Sequence, residues 1–160
     1  MAPRVARLIG WDAMQLHWHY LGRWALLHDM LESIMGDAPT PLKTRIGEAY
    51  RAAEKEFLHY YHSELADMLK FIERGDEPWG DIVKIVKFTD YLEAAQFLAD
   101  EILLGNRAIE PTWKLLATKV RDNWQQLPFG KKVIDDAPKL YNTEIKPLVH
   151  GGQRTWEVIE

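Results

Sequence analysis

The chain has 160 residues, of which 47% are hydrophobic and 28% are charged, and its formal net charge is −4. This length favours one domain that is large enough to bury a core. The negative net charge indicates no basic surface for binding a nucleic acid polymer. No apolar run is long enough to cross a membrane. Cysteine is absent, so a bound metal would need His, Asp or Glu ligands. Since the start also lacks a signal-peptide pattern, we expect a cytoplasmic protein.

The N-terminal pattern predicts a helix over residues 6–31 with a break near residues 10–12. Asp12 is the expected N-cap of the second piece. On a helix, His17 and His19 point about 200° apart and cannot share one ion. His17 is on the same face as His28, but eleven helical residues span about 16 Å. We therefore expect packing or surface roles for His17 and His19.

The next segment places three polar groups beside an apolar helical stripe. The stripe consists of Trp24, Leu27, Leu31 and Ile34. Glu32 follows His28 by four residues and Asp29 by three, so the three side chains can converge on one helix face. An imidazole and a carboxylate are good ligands for a divalent transition metal, and an unligated carboxylate nearby can serve as general acid or base. Gly36 and the prolines of residues 39–41 are expected to end the helix.

Residues 43–74 predict one long helix or two shorter ones. The expected inner stripe comprises Ile46, Ala49, Ala53, Phe57, Tyr60 or Tyr61, Met68 and Ile72. His59 and His62 have i,i+3 spacing, which suits a metal if a carboxylate lies near; the alternative is a half-exposed, aromatic-rich face. A turn follows at residues 75–80, and Asp81 is the expected N-cap of the next helix.

That helix, over residues 82–104, carries a carboxylate within its predicted apolar stripe. The stripe is formed by Val83, Val86, Asp90 and Phe97. Burial of an unpaired carboxylate is costly, so Asp90 is either a metal ligand or a capped or surface residue. Gly105 is expected to end the helix.

The C-terminal third predicts a helix over about residues 111–126, a break at 127–130 and a shorter helix that ends before Pro147. The apolar stripe of the first helix suits a cover for the core or a subunit contact, and we expect a homo-oligomer, a dimer or larger. No segment has a strand pattern. The predicted fold is therefore an all-α, single-domain helical bundle of about five to seven helices over residues 1–160.

Three segments in this order resemble the HD-domain phosphohydrolases. They are His28-Asp29 with Glu32 and the string Gly36-Asp37-Ala-Pro-Thr-Pro-Leu-Lys43, then residues 48–55, and then residues 85–95. The branch is that of the bacterial 5′-deoxynucleotidases and their phage relatives, some of which cleave dATP to deoxyadenosine and triphosphate. The matching segments fall within residues 24–98.

The resemblance implies an HD-domain-like fold and a metal-dependent phosphohydrolase that acts on deoxynucleotides, either a dNMP or dATP. It implies His28, Asp29 and Asp90 as ligands of a divalent ion such as Co²⁺, Mn²⁺ or Zn²⁺, with Mg²⁺ as a further option. Glu32 would transfer the proton, and Asp37 would orient the nucleophile or the sugar. The nucleotide pocket would be lined by Asp37, Ala38, Pro39 and Thr40.

The chain departs from the family pattern at the first metal ligand. The family has a His in a Glu-His-Ser segment, and the corresponding residue here is Met1. The family's Arg-Trp pair would precede Met1, so either these parts have been lost or the start is set too late. We expect a weaker metal site with water in the vacant position. The alternative function is a catalytically inactive HD scaffold that serves in binding or assembly.

Overall fold

The computed structural model describes residues 1–11, 15–28, 45–61, 63–76 and 78–151. Within these ranges the secondary structure is helical and contains no β-strand, which confirms the predicted all-α fold. The described helices, numbered in chain order, are α1 (Ala2–Leu8), α2 (Gln15–Leu27), α3 (Gly47–Tyr61), α4 (Ser63–Arg74), α5 (Trp79–Leu103), α6 (Glu110–Trp124), α7 (Ala137–Leu140) and α8 (Lys146–Val149). A 3₁₀ turn, Arg107–Ile109, precedes α6, and a π-helical turn, Tyr141–Ile145, joins α7 to α8. None of the described helices is long and apolar enough to span a membrane.

Helix α5 is the central element of the fold. It contacts α1, α2, α4, α6 and α8, and so provides the surface on which most of the described chain packs. Its largest fully buried side chains are Ile82, Ile85, Phe88 and Leu92. The ring of Phe88 lies 5.7 Å from that of Trp124 on α6. Burial of these large apolar groups is the main stabilising contribution at the centre of the bundle.

The buried face of α5 differs from the predicted one. Phe97 is 63% exposed, and the side chain of Asp90 is 43% exposed. The prediction that Asp90 interrupts a buried apolar stripe is therefore wrong. Because α5 is covered on several sides, its apolar residues are spread around much of the helix, and a single periodicity does not identify the inner face.

Two predicted helix boundaries are also wrong. Helix α5 begins at Trp79, so Asp81 lies in its first turn and is not the N-cap. A carboxylate in this position still interacts favourably with the helix dipole. Pro147 lies in the first turn of α8, where proline is tolerated because its missing N–H has no helical partner. Helical structure therefore continues through Pro147.

The break predicted near residues 10–12 is confirmed. Helix α1 ends at Leu8, and Gly10 adopts a positive φ of 61°. The N–H of Gly130 donates a hydrogen bond of 2.8 Å to the carbonyl of Ile9. A Cβ atom on Gly130 would collide with the carbonyl oxygen of Gly10, so the loop after α6 is fixed against the α1–α2 turn. Asp12, the expected N-cap, lies outside the described residues.

Residues 43–74 contain two helices, α3 and α4, where the pattern also allowed one. The predicted inner stripe holds for Met68 on α4, which is buried. It is wrong for Ile46, just before α3, which is 40% exposed, and for Ala49 and Ala53 on α3, which are exposed. Of the alternatives Tyr60 and Tyr61, Tyr60 is 83% exposed and the side chain of Tyr61 lies outside the described residues. Among the described helices, α3 packs mainly on α4.

Candidate functional site

His28 directly follows the last residue of α2. Its backbone N–H still donates a helical hydrogen bond of 2.9 Å to the carbonyl of Trp24. The side chain is 17% exposed, and its ring lies 6.1 Å from the indole of Trp24. The imidazole is therefore held by the last turn of the helix and has restricted access to water.

Asp90 lies in the middle of α5 and meets His28 across the contact between α2 and α5. The Nε2 atom of His28 and the Oδ2 atom of Asp90 are 3.2 Å apart. Nearer the start of both helices, the ring of Tyr20 packs 5.1 Å from that of Trp79. The order of these two contacts shows that α2 and α5 run in the same general direction, and this register brings His28 to Asp90.

The contacts of the two ring nitrogens of His28 indicate which of them carries the hydrogen. Its Nδ1 atom lies 3.2 Å from the carbonyl oxygen of Trp24. A carbonyl only accepts, so we infer that Nδ1 carries the hydrogen, and a neutral ring then presents the Nε2 lone pair to Asp90. Two acceptors at this distance attract each other only when a proton or a cation lies between them.

This donor set fits a divalent metal ion. Atoms that bind one such ion at about 2.0–2.2 Å are roughly 3.0–3.5 Å apart, and the spacing of Nε2 and Oδ2 falls in this range. The Nδ1 contact to Trp24 is the type of backbone hydrogen bond that orients metal-binding histidines. His28 and Asp90 would supply one nitrogen and one oxygen ligand to such an ion.

Met1 lies beside Glu93, a residue of α5 one helical turn after Asp90. Its amino nitrogen is 3.6 Å from Oε1 of Glu93, and Glu93 follows Asp90 by three residues on α5. Residues with this spacing are neighbours on a helix surface. The position at which the resemblance implies a histidine therefore packs against α5 beside Glu93.

A family model described as 5′-deoxynucleotidase YfbR-like matches residues 6–128, which is more than half of the chain. The chain belongs to this family. The matched region of the YfbR-like family contains both His28 and Asp90 and ends before α7. Comparisons with curated proteins and with solved structures gave no match.

The remaining predicted site residues lie outside the described part of the chain, and their roles stay predictions. They are Asp29, Glu32, Asp37, Ala38, Pro39 and Thr40. The described ranges alone contain no group of three or more His, Asp or Glu side chains placed to hold a metal. His28 and Asp90 are therefore the two members of the predicted site that the structure brings together.

Where they are described, His17, His19 and His59 have the packing or surface positions that were predicted as the alternative to metal binding. His19 is exposed, with its ring 6.1 Å from Tyr20, and His17 is half-buried. His59 is exposed and lines a cavity of about 330 Å³ between α3 and α4, while His62 lies outside the described residues.

The sequence patterns did not indicate two groups near the site, the Trp24 carbonyl and Glu93. The i,i+4 spacing of Trp24 and His28 is a usable signal for the first, because a side chain at a helix end can reach the carbonyl of the preceding turn. No local pattern marks Glu93, because its position beside Met1 depends on how α1 packs on α5.

Proposed function

We propose that this protein is a metal-dependent phosphohydrolase that releases phosphate or triphosphate from deoxynucleotides. The supporting observation is the 3.2 Å spacing of His28 Nε2 and Asp90 Oδ2 inside the region matched by the family model. Imidazole nitrogen together with carboxylate oxygen suits Co²⁺, Mn²⁺ and Zn²⁺, and carboxylates alone also attract Mg²⁺. Asp29 is the proposed third ligand.

A bound ion would supply Lewis-acid polarisation of a phosphoryl oxygen and activation of water. The chain's own part is to position the ligands. The Nδ1–H bond to Trp24 holds the plane of the His28 ring, and α5 holds Asp90 on a rigid, well-packed helix. Glu32 is proposed to transfer the proton and Asp37 to orient the nucleophile or the sugar, as the resemblance implies.

Whether the site accepts a triphosphate as the leaving group depends on nearby cations. Lys43, Arg45 and Lys87 are the candidates for contacts to a triphosphate. Lys87 precedes Asp90 by three residues, is exposed, and forms no ion pair within the described ranges. Arg45 is also exposed, and Lys43 lies outside those ranges. We therefore propose Lys87 as the contact for a phosphate chain that extends from the His28–Asp90 pair.

The test is a panel of dNMPs and dNTPs incubated with purified protein and Mn²⁺, Co²⁺, Zn²⁺ or Mg²⁺, with chromatography of the products. We expect turnover of at least one deoxynucleotide and its complete loss in EDTA. Deoxyadenosine with triphosphate from dATP supports the larger pocket, whereas activity confined to dAMP rules it out. Absence of turnover with every metal would reject the proposal.

A catalytically inactive HD scaffold is the second candidate. It is favoured by Met1, which stands where the resemblance implies a histidine ligand and whose amino group lies beside Glu93. A scaffold would retain stability and ligand binding but would turn over none of the nucleotides in the panel. Binding of a nucleotide without turnover, in the presence of metal, would favour this candidate.

A further inference from the structure

A second candidate binding site lies between the α1–α2 turn and the loop after α6. It is a cleft of about 830 Å³, and its lining includes Arg7, Trp11, Trp18, Asp81, Lys131 and Lys132. Asp81 precedes Asp90 by nine residues on α5, which corresponds to about 14 Å of rise and a position on the opposite side of the helix. The cleft is therefore distinct from the His28–Asp90 pair.

The charged side chains of the cleft are mainly basic. Arg7, Lys131 and Lys132 are exposed, and none of them forms an ion pair with another residue in the part of the chain that the structure describes. Among the described lining residues the acidic side chain is Asp81, whose Oδ2 accepts a hydrogen bond of 3.4 Å from Nε1 of Trp11. Three cations that have no acidic partner among the described residues give this cleft a local positive potential on a chain whose net charge is −4.

The two lysines are held in place by the fixed loop that carries them. Lys131 and Lys132 directly follow Gly130, whose N–H bonds to Ile9 and whose Cα has no room for a side chain beside Gly10. The carbonyl of Gly130 in turn accepts hydrogen bonds from the N–H groups of Val133 and Ile134, at 3.0 and 3.2 Å. The backbone of the lysine pair is thus ordered before any ligand arrives, which lowers the entropic cost of binding.

The uncharged part of the lining is aromatic. Trp11 is buried, and its ring packs edge-to-face on Trp18 with centroids 5.6 Å apart. The indole N–H of Trp11 is already bonded to Asp81, so this pair forms a stable wall. Trp18 is half-buried and leaves part of its ring for contact with a ligand.

We propose that this cleft binds the polyphosphate group of a small molecule at a site separate from the reaction site. Arg7 can hold phosphate oxygens through two parallel N–H bonds, and Lys131 and Lys132 add point charges that suit a chain of two or three phosphates. A polyphosphate group is present in both inorganic triphosphate and a nucleoside triphosphate. The aromatic wall offers a surface for the base of the nucleoside triphosphate.

The test is isothermal titration calorimetry of the full chain in EDTA, which removes any contribution from a metal site. Inorganic triphosphate and dATP are titrated separately. We expect binding of both at low salt, weakened by added salt, and a loss of about tenfold or more in affinity in the Lys131→Gln/Lys132→Gln variant and in Arg7→Gln. Tighter binding of dATP identifies the nucleotide as the ligand, and equal binding identifies the polyphosphate.

The matched control is Lys139→Gln/Lys146→Gln, which removes two exposed lysines outside this cleft and changes the net charge equally. It should bind within about twofold of the unmodified chain. Equal weakening in the control and cleft variants would mean general electrostatic attraction and would overturn the proposal, as would an absence of binding. Because these titrations contain no metal, their failure leaves the proposed reaction untouched.

Discussion

The imidazole of His28 and the carboxylate of Asp90 lie 3.2 Å apart, although 62 positions separate them in the chain. The last turn of α2 provides one group and the middle of α5 the other. Since Nδ1 of His28 is engaged by the Trp24 carbonyl, the opposite ring nitrogen is aimed at Asp90. The pair therefore behaves as one unit, and changes to either residue should have similar effects.

Replacement of either member of this pair should remove activity. We expect Asp90→Asn and His28→Gln each to lower kcat/KM by about 100-fold or more, because each change removes a proposed metal ligand and leaves its partner unmatched. Initial rates on the best substrate of the panel would measure this. Asp135→Asn, at an exposed position on the loop after α6, is the control and should stay within about twofold. Full activity in Asp90→Asn would show that Asp90 is not a ligand.

Met1→His, produced behind an additional initiator methionine, should strengthen metal binding. The amino group of Met1 lies beside Glu93, which follows Asp90 by one helical turn, and the resemblance implies a histidine ligand at this position. We expect Mn²⁺ affinity to rise by about tenfold or more, and the rate to rise with it. Calorimetric titration of this variant and of Met1→Leu provides the comparison. Equally tight binding in both would mean that another residue completes the metal shell.

Lys87→Gln should weaken recognition of a triphosphate more than that of a monophosphate. Lys87 is exposed one turn before Asp90, so its charge is available to phosphates beyond the first. We expect KM for dATP to rise by about fivefold to tenfold and KM for dAMP to change less. Lys114→Gln, on the exposed side of α6, is the matched control. An equal change for both nucleotides would show that Lys87 does not contact the phosphate chain.

The two phenylalanines of α5 should differ sharply in their effect on stability. Phe88 is fully buried against Trp124, so Phe88→Ala should lower the free energy of unfolding by about 3–5 kcal/mol. Phe97 is 63% exposed, and Phe97→Ala should cost less than about 1 kcal/mol. Urea denaturation followed by circular dichroism gives both values. Similar losses in the two variants would contradict the observed inner face of α5.

Two glycine-to-alanine replacements should change the stability of the protein in opposite directions. In Gly130→Ala the new methyl group meets the carbonyl of Gly10, and we expect a loss of about 1–3 kcal/mol. Gly22 lies within α2, and outside its own helix backbone no atom of the described residues comes within 4 Å of a Cβ placed there, so Gly22→Ala should raise stability by about 0.5–1 kcal/mol. Thermal unfolding of both variants tests this pair. Stabilisation by Gly130→Ala would show that the loop is not fixed against the α1–α2 turn.

Features with a local cause were predictable from the sequence. Absence of strand patterns predicted an all-α fold, and Gly105, with a φ of 103°, ends α5 as expected because glycine adopts this conformation at little cost. His28 and Asp90 were also recognised as candidates, from residue type, helical spacing and a family resemblance. These signals depend on a few neighbouring residues, so they can be recognised without knowledge of the packing.

The distribution of burial on α5 was decided by tertiary structure. Five other helices pack on it, so Phe88 is buried, whereas Phe97 and Asp90, assigned to the inner face, are partly or largely exposed. The approach of His28 to Asp90 likewise requires α2 and α5 to pack in one particular register, set by contacts such as Tyr20 with Trp79. The lysine pair after Gly130 reaches the α1–α2 turn through a close contact between distant glycines. Such relationships arise from the packing of whole helices and loops, and local patterns do not contain that information.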